Sequence, residues 1–218
     1  GSEMCIRDST ITKMDDIKQG AVIGTSSLRR QCQLQQRRPD LQFLSLRGNV
    51  NSRLDKLDNG KYDAIILAAA GLERLGLAHR ISLIIPPRWM LPAVAQGALS
   101  IECRSSDAAT KALLASLNDR PTSLCVSAER AMNRRLHGGC QVPIAGFAQW
   151  SADGDRLHLE GRVGAIDGSQ LLIESGHTGH QLSVKYAQSL VAAEQLGKEI
   201  AERLLDQGAQ ALLDQVDG

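Results

Sequence analysis

Aromatic residues are scarce in this chain: its 218 residues include two Trp, two Tyr and two Phe. The hydrophobic core must therefore consist mainly of Leu, Ile, Val and Ala. An excess of one charge is also missing, because 25 Lys and Arg stand against 24 Asp and Glu and leave a formal net charge of +1. A chain with so little net charge is not expected to bind nucleic acid or an anionic membrane surface through its overall charge.

Long apolar runs are absent as well. The most apolar run, residues 64–71 (AIILAAAG), has the length of a β-strand, whereas a membrane-spanning helix needs roughly 20 apolar residues. The first residues contain no continuous apolar stretch, so no secretory signal is expected. The five cysteines are widely spaced and include no CxxC pair, and this pattern predicts reduced thiols in a cytoplasmic protein.

Strand-like and helix-like segments alternate in the first third of the chain. Strands are predicted at residues 21–25, 41–46 and 62–70, and helices at residues 28–38 and 50–57. The order strand, helix, strand, helix, strand predicts a parallel sheet of the α/β type.

The remaining two thirds of the chain change character. A strand at residues 99–103 and a helix at residues 107–117 follow a proline-rich passage. Three strands with Asp-Gly turns between them predict an antiparallel meander. Long helices are predicted on both sides of it. The helices cover residues 122–136 and 183–205, and the strands cover residues 143–150, 156–163 and 170–174.

Arginines are concentrated between Thr25 and Leu54, where six of them face one aspartate. Two fall in the first turn of a predicted helix, where the helix dipole disfavours cations by roughly 0.3–1 kcal/mol. Carboxyl ends of parallel strands and amino ends of the following helices meet at one edge of a sheet, where such sheets bind ligands. Arginine also pairs with carboxylates through two parallel hydrogen bonds. We therefore predict an anion site formed by Thr25, Ser26, Ser27, Arg29, Arg30, Arg47 and Arg53.

Arg37 and Arg38 lie late in the same predicted helix, where cations are favoured, and we interpret them as a solvated basic face.

Cys140 lies in the sequence GGCQVP (residues 138–143), on a predicted loop between a helix and a strand. The two glycines allow a large group to approach the backbone closely. A loop thiol near cationic side chains can ionise and act as a nucleophile. From this loop alone a packing role stays open, because most isolated cysteines pack like small apolar residues.

Several segments together resemble the hydroxymethylbilane synthases, also called porphobilinogen deaminases. They are GTSSLRR (residues 24–30), LRGNV with the following RL (residues 46–54), LPAVAQGA (residues 91–98), AER (residues 128–130) and GGCQVP (residues 138–143). They occur in the family's order, and the resemblance extends from about residue 17 to the carboxyl end.

The resemblance implies a transferase of tetrapyrrole and haem biosynthesis, which polymerises four porphobilinogen molecules, with loss of ammonia, into hydroxymethylbilane. A covalent dipyrromethane cofactor acts as the primer, and Cys140 would hold it through a thioether. The residues implied to bind the cofactor are Thr25, Ser27, Arg29, Arg30, Arg47 and Gly48. Those implied to bind the substrate are Arg53, Arg74 and Gln96. The expected partner is porphobilinogen, without nucleic acid, membrane or metal, in a cytoplasmic protein that is monomeric when full length.

The resemblance also implies a division of the chain into four segments. Residues 1–16 are an unstructured or non-native tail. Residues 17–91 are an α/β substrate-binding domain similar to those of periplasmic binding proteins. Residues 92–118 are a hinge with the remnant of a second α/β domain, and residues 119–218 are an α+β domain with a three-stranded antiparallel sheet and the cofactor cysteine.

One part of the family pattern has no counterpart among the 218 residues, a Lys-Asp pair in a His-Ser-x-Lys-Asp-x-Pro context. The family aspartate is credited with handling the pyrrole nitrogens, so we expect a truncated member that is inactive by itself and binds no pigment. Truncation is also expected to leave one apolar group partly uncovered: Leu99, Ile101, Leu113, Leu114 and Leu117.

Two other interpretations remain open at this point. The first is a non-catalytic module of the periplasmic-receptor type that binds a small polycarboxylate anion. The second is a metal site that uses His137 with Cys140 or His177 with His180, but two ligands fall short of the roughly four that structural zinc takes.

Overall fold

The computed structural model describes residues 2–6, 13–139, 141–178 and 185–216. These residues form a five-stranded sheet with the order β3-β2-β4-β1-β5 and a three-stranded sheet with the order β6-β7-β8. The strands of the first sheet are β1 (Ser2–Ile6), β2 (Val22–Gly24), β3 (Gln42–Leu44), β4 (Ala64–Ala68) and β5 (Leu83–Ile85).

The predicted alternation of strands and helices is confirmed in the first sheet. β2 pairs in parallel with both β3 and β4. Each of these strands is followed by a helix: α1 (Leu28–Arg37), α2 (Val50–Asp58) and α3 (Ala69–Arg74). The side chain of Asn49 caps α2 by accepting a hydrogen bond from the Ser52 amide at 2.8 Å. β4 is buried for most of its length, as expected of a strand covered on both faces.

The prediction of an unstructured tail over residues 1–16 does not hold for Ser2–Ile6. These residues form β1, which is antiparallel to β4 on one side and to β5 on the other. Met4 is fully buried in the core beside Ile66 and Ile85. The segment SEMCI mixes polar and apolar residues within five positions, so its pattern is too short to identify a strand. A 3-10 helix follows at Met14–Asp16.

The predicted strand at residues 99–103 is wrong. Residues 98–104 have no regular secondary structure, and Leu99 is 79% exposed. Leu99, Ile101 and Cys103 alternate as in a strand, but a strand also needs a neighbour with which to pair, and the described residues place none beside them. The helix predicted at residues 107–117 is confirmed as α4 (Ala108–Leu114) with a 3-10 turn at Ala115–Leu117.

The predicted antiparallel meander is also confirmed. Its three strands pair in sequence order, and two helices pack together against it. Gly197 allows this close packing, because a Cβ at that position would collide with the Ala128 carbonyl oxygen of the facing helix. The elements are α5 (Arg120–Arg135), β6 (Ile144–Trp150), β7 (Leu157–Gly164), β8 (Leu171–His177), α6 (Tyr186–Asp206) and α7 (Ala209–Asp214).

Neither β5 nor α7 was predicted, because elements of three and six residues are too short for a clear periodicity. The domain boundaries given above stay predictions. Within the described ranges, no helix has both the length and the apolar character needed to cross a membrane.

Candidate functional site

The candidate site lies where β2 and β3 end and where α1 and α2 begin. Past the strand ends, the Thr25 amide donates to the Leu44 carbonyl at 3.0 Å. Ser26 Oγ accepts from the Leu46 amide at 3.0 Å and lies 2.9 Å from the Leu46 carbonyl, to which it donates. These bonds hold the two loops side by side, so residues 25–27 lie next to residues 45–47.

Thr25 and Ser27 form the first loop of this edge. The Thr25 side chain is buried, and its Oγ1 accepts from the Ser27 amide at 3.2 Å. Ser27 is the N-cap residue of α1, but its side chain makes no capping hydrogen bond. The amino end of α1 therefore keeps its partial positive charge at the edge, where it favours an anion.

Arg29 is a buried cation, only 6% exposed. Its Nη1 donates to the Leu91 carbonyl at 2.6 Å, and its Nη2 lies 3.5 Å from Gln96 Oε1. Burial, with a further contribution from neighbouring Arg30, lowers the pKa of Arg29 to about 9, so the side chain stays charged at neutral pH. Among the ion pairs of the described residues, none joins Arg29 to an Asp or Glu. A buried charge without a counter-charge costs several kcal/mol, so this position suits an anionic ligand.

Arg30 is half-buried beside Arg29 and reaches the first sheet. Its Nη1 donates to the Ile66 carbonyl of β4 at 2.9 Å. The two adjacent arginines are therefore held by backbone carbonyls from two different parts of the chain, Leu91 for Arg29 and Ile66 for Arg30.

The second loop of the edge presents Arg47, Gly48 and Arg53. Gly48 has a φ of +122°, which favours glycine, and its carbonyl accepts from Arg53 Nε at 2.7 Å. The Arg47 carbonyl accepts from Lys56 Nζ at 2.7 Å, and the Arg47 side chain is exposed. The loop thus fixes one guanidinium and leaves a second open to solvent.

The structure joins Gln96 to the predicted site but does not join Arg74 to it. Gln96 Oε1 accepts from the Ala93 amide at 3.3 Å and lies within reach of Arg29. Arg74 is exposed in the last turn of α3, and no hydrogen bond or ion pair of the described residues links it to the other site residues. Cys140 lies outside the described residues, between the exposed Gly139 and Gln141.

The prediction that Arg37 and Arg38 form a solvated basic face holds for the exposure of Arg37 but not for Arg38, which is half-buried. Arg38 pairs with Asp40 at 2.8 Å and donates to the Met14 and Ile17 carbonyls at 3.0 and 2.9 Å. Arg37 donates to the Arg88 carbonyl at 2.7 Å and lies 5.1 Å from the centre of the Trp89 ring. Late in the helix, both cations reach backbone carbonyls of other segments, a tertiary contact that the helical position does not reveal.

Two buried polar residues of the site region were missed. Gln33 is fully buried in α1, one helical turn after Arg29. Glu129 is buried in α5, where its carboxylate accepts from the Ala148 and Ala95 amides at 2.8 and 2.6 Å. Burial raises the pKa of Glu129, and the two backbone hydrogen bonds oppose that shift. Helical spacing offered a signal, because Gln33 follows Arg29 by four positions and Glu129 precedes the buried Met132 by three.

Two family models match the chain. One, described as porphobilinogen deaminase, dipyromethane cofactor binding domain, matches residues 2–112, more than half of the chain. The other, described as porphobilinogen deaminase, C-terminal domain, matches residues 123–206. The chain belongs to the porphobilinogen deaminase family. Porphobilinogen deaminases are transferases of porphyrin and tetrapyrrole biosynthesis.

The residues of the candidate site fall inside the two porphobilinogen deaminase matches. The first match includes residues 24–54 and Gln96, and the second includes Glu129 and Cys140. Because the first match begins at residue 2, it also includes most of residues 1–16, which we expected to be an unstructured or non-native tail. Its cofactor, dipyrromethane, carries several carboxylates, and the edge described above fits such a group. The fit rests on the buried charge of Arg29 and on the uncapped amino end of α1.

Proposed function

We propose that this protein is a hydroxymethylbilane synthase, which joins four porphobilinogen molecules, with loss of ammonia, into hydroxymethylbilane on a dipyrromethane bound to Cys140. The observation that carries the proposal is the buried guanidinium of Arg29, which the described residues provide with oxygen acceptors but with no carboxylate partner. A ligand with several carboxylates would supply that missing counter-charge.

The proposed roles follow the family resemblance, and the geometry of the edge supports them for every residue except Arg74, which no described hydrogen bond or ion pair joins to the edge. Cofactor carboxylates would be held by Thr25, Ser27, Arg29, Arg30, Arg47 and Gly48. Incoming substrate would be held by Arg53, Arg74 and Gln96. The dipyrromethane, when bound, supplies the free pyrrole position to which further pyrroles are added. The arginines neutralise carboxylates as the chain of pyrroles grows, and each charge-assisted hydrogen bond contributes roughly 1.5–3 kcal/mol.

Cys140 is the proposed attachment point. Burial raises the pKa of Cys32 to about 12 and that of Cys125 to about 11, so both stay protonated and are poor nucleophiles. Cys140 lies instead in a glycine-containing loop inside the C-terminal match.

Intact-mass measurement tests the attachment in a version of the chain that also carries the family's Lys-Asp segment. The cofactor mass and the deaminase activity should both disappear in Cys140→Ser and both persist in Cys125→Ser. Retention of the added mass in Cys140→Ser would show that another residue holds the cofactor. Reversible porphobilinogen binding without any covalent mass would favour the receptor-like polycarboxylate module.

The 218 residues alone are proposed to lack deaminase activity and covalent pigment. They contain no His-Ser-x-Lys-Asp-x-Pro segment, and the family aspartate belongs to that segment. The test is an assay of hydroxymethylbilane formation by the 218 residues, before and after addition of a polypeptide that carries the segment. Turnover without the addition would show that the Lys-Asp segment is dispensable.

We also propose a cytoplasmic location and a monomeric state for the full-length protein. Support for the location comes from Cys32, Cys103 and Cys125, which are free thiols, as expected in a reducing compartment. Cell fractionation and sedimentation of the full-length protein would test these two expectations separately.

A further inference from the structure

We propose that Gln33 is a positioning residue for the Arg29 guanidinium. Through Gln33, the C-terminal unit, which consists of the three-stranded sheet with α5, α6 and α7, sets the position of that guanidinium. The inference rests on the proposed function, because it assigns a purpose to the placement of Arg29. It concerns a contact between α1 and the three-stranded sheet that lies away from the exposed arginines of the edge.

The first step is the contact between Gln33 and the Leu91 peptide. The Leu91 amide donates to Gln33 Oε1 at 2.8 Å, and Gln33 Nε2 lies 3.2 Å from the Leu91 carbonyl, to which it donates. Nε2 also donates to the Arg29 carbonyl at 2.9 Å. A fully buried amide that uses both its oxygen and its nitrogen holds the Leu91 peptide in one orientation against α1.

The second step is the shared acceptor. The Leu91 carbonyl that Gln33 holds also accepts from Arg29 Nη1, at 2.6 Å. This is the shortest hydrogen bond described for the Arg29 side chain, so the direction of the Leu91 carbonyl determines where the guanidinium lies. Gln33 therefore acts on Arg29 through an oxygen atom that both side chains bind.

The third step connects this arrangement to the C-terminal unit. Arg162 of β7 is buried, and its Nη1 donates to Gln33 Oε1 at 3.1 Å. The same guanidinium pairs with Glu160 at 2.7 Å and lies 3.4 Å from the Pro87 and Arg88 carbonyls. A shift of β7 relative to α1 would thus be transmitted from Arg162 to Gln33, then to Leu91 and Arg29.

The chain offers a matched control on the same helix. Gln31 Nε2 donates to the Ile166 carbonyl at 3.3 Å, so this glutamine also bridges α1 and the C-terminal unit. None of the described hydrogen bonds joins Gln31 to Leu91. Loss of Gln31 removes a bridge of the same chemical type, whereas loss of Gln33 also releases the carbonyl that holds Arg29.

The first experiment observes Arg29 in the 218-residue chain without any ligand. In wild type and in Gln31→Met, the Arg29 Nη1–H signals should be resolved by NMR and exchange slowly with water. In Gln33→Met they should broaden or exchange at least about tenfold faster, because the guanidinium loses its fixed acceptor. Arg162→Lys, which keeps the charge, should shift the signals in the same direction by a smaller amount. An unchanged Arg29 signal in Gln33→Met, or an equal change in Gln31→Met, would overturn the proposal.

The second experiment measures binding of free dipyrromethane, the ligand assigned to Arg29, by calorimetry in a double-mutant cycle. Gln33→Met and Arg29→Lys should each weaken binding about tenfold. The double variant should bind at most about threefold more weakly than either single variant. Independent losses that multiply would contradict action through Arg29. If Gln33→Met does not fold, Arg162→Lys takes its place in the cycle with the same criterion. Failure of wild type to bind dipyrromethane would count against the proposed function, while the NMR comparison still decides the positioning role.

Discussion

Glu129 Oε2 accepts a hydrogen bond from the Ala95 amide at 2.6 Å and thereby ties α5 to the turn that carries Gln96. Ala95 has a φ of +59°, a left-handed conformation that is uncommon for a residue with a Cβ. The cost of that conformation is offset by a charge-assisted hydrogen bond to a buried carboxylate. Gln96, the next residue, can then face Arg29.

Glu129→Gln should therefore destabilise the protein, because one of the two amides that the carboxylate accepts would face the NH₂ group of the glutamine. We expect a loss of about 1–3 kcal/mol in the free energy of unfolding, measured with urea. Glu202→Gln, which alters an exposed pair with Arg135, is the matched control and should cost less than about 1 kcal/mol. Equal stability of the two variants would mean that the Ala95 turn does not depend on Glu129.

Gly48→Ala should destabilise the second loop of the site. Gly48 has a φ of +122°, and a Cβ there would collide with Ser52 Oγ. We expect a loss of roughly 1–3 kcal/mol by thermal or urea unfolding. Gly71→Ala is the control, because a Cβ at Gly71 meets nothing within 4 Å and its φ is not positive. Ser52→Ala combined with Gly48→Ala should recover the part of the loss that is due to the collision and not the part due to φ.

The Arg38–Asp40 pair predicts a pH dependence of stability. The hydrogen bond from Arg38 lowers the pKa of Asp40 to about 2 from an ordinary value of 3.8. A lowered pKa means that the stabilisation is complete above the ordinary pKa and is lost as the pH falls toward 2. The difference in unfolding free energy between wild type and Asp40→Asn should therefore be constant above about pH 5 and shrink between pH 4 and pH 2.

The matched control for this pH dependence is the Arg38→Met background. There Asp40→Asn should lose most of its pH-dependent effect, since the main cause of the lowered pKa is gone. A difference that persisted unchanged at pH 2 would show that Arg38 is not that cause.

Arg47→Lys should weaken binding of the dipyrromethane cofactor without affecting stability. The Arg47 side chain is exposed, so its replacement leaves the core unchanged, but lysine cannot form two parallel hydrogen bonds with a carboxylate. We expect at least about a tenfold loss in binding measured by calorimetry, and an unfolding free energy within about 0.5 kcal/mol of wild type. The control is Arg156→Lys in an exposed turn of the second sheet, because Arg37 and Arg38 have structural contacts. Normal binding by Arg47→Lys would remove Arg47 from the site.

The exposed apolar residues of α4 and of the 3-10 turn that follows it predict self-association. Leu113 is 77% exposed and Leu117 is 67% exposed, which confirms that these faces are uncovered. Leu113→Gln with Leu117→Gln should lower the concentration-dependent increase in sedimentation coefficient of the 218-residue chain. Val191→Gln, at an exposed position of α6, should have no such effect. Unchanged association of the double variant would show that the self-association surface lies elsewhere in the protein.

Much of the fold could be predicted because the spacing of apolar residues and the succession of strands and helices can be read directly from the sequence. The parallel strands and the meander each span enough residues for alternation and turn chemistry to be read. Residues 99–103 show the limit, since their alternation matches a strand but a strand also needs a neighbour, and the described residues place none beside them. Ser2–Ile6 show the converse, because pairing on both sides stabilises a segment whose own pattern is uninformative.

For the candidate site, the clustering of arginines in the sequence was informative, but the burial of each arginine side chain could not be predicted. The arginines were found because six cations in thirty residues are unusual in a chain of balanced charge. That Arg29 is buried whereas Arg47 is exposed depends on Leu91 and Gln96, which are more than sixty positions from Arg29. A polar residue such as Gln33 appears solvent-facing until the segments that surround it are known.

The position of β1 has a consequence for how the protein folds. Its partners are residues 64–68 and 83–85. Pairing of β1 with β4 therefore closes a loop of about sixty residues, and this pairing places β1 where β5 can join the sheet. Contacts between such distant residues slow folding, because chain entropy is lost before the contact is gained. During synthesis, β1 must remain unpaired until β4 has left the ribosome, whereas β2 and β3 meet much sooner. The earliest order in this half of the protein should therefore arise at the edge that holds the candidate site, and the opposite side of the sheet should be the last part to form.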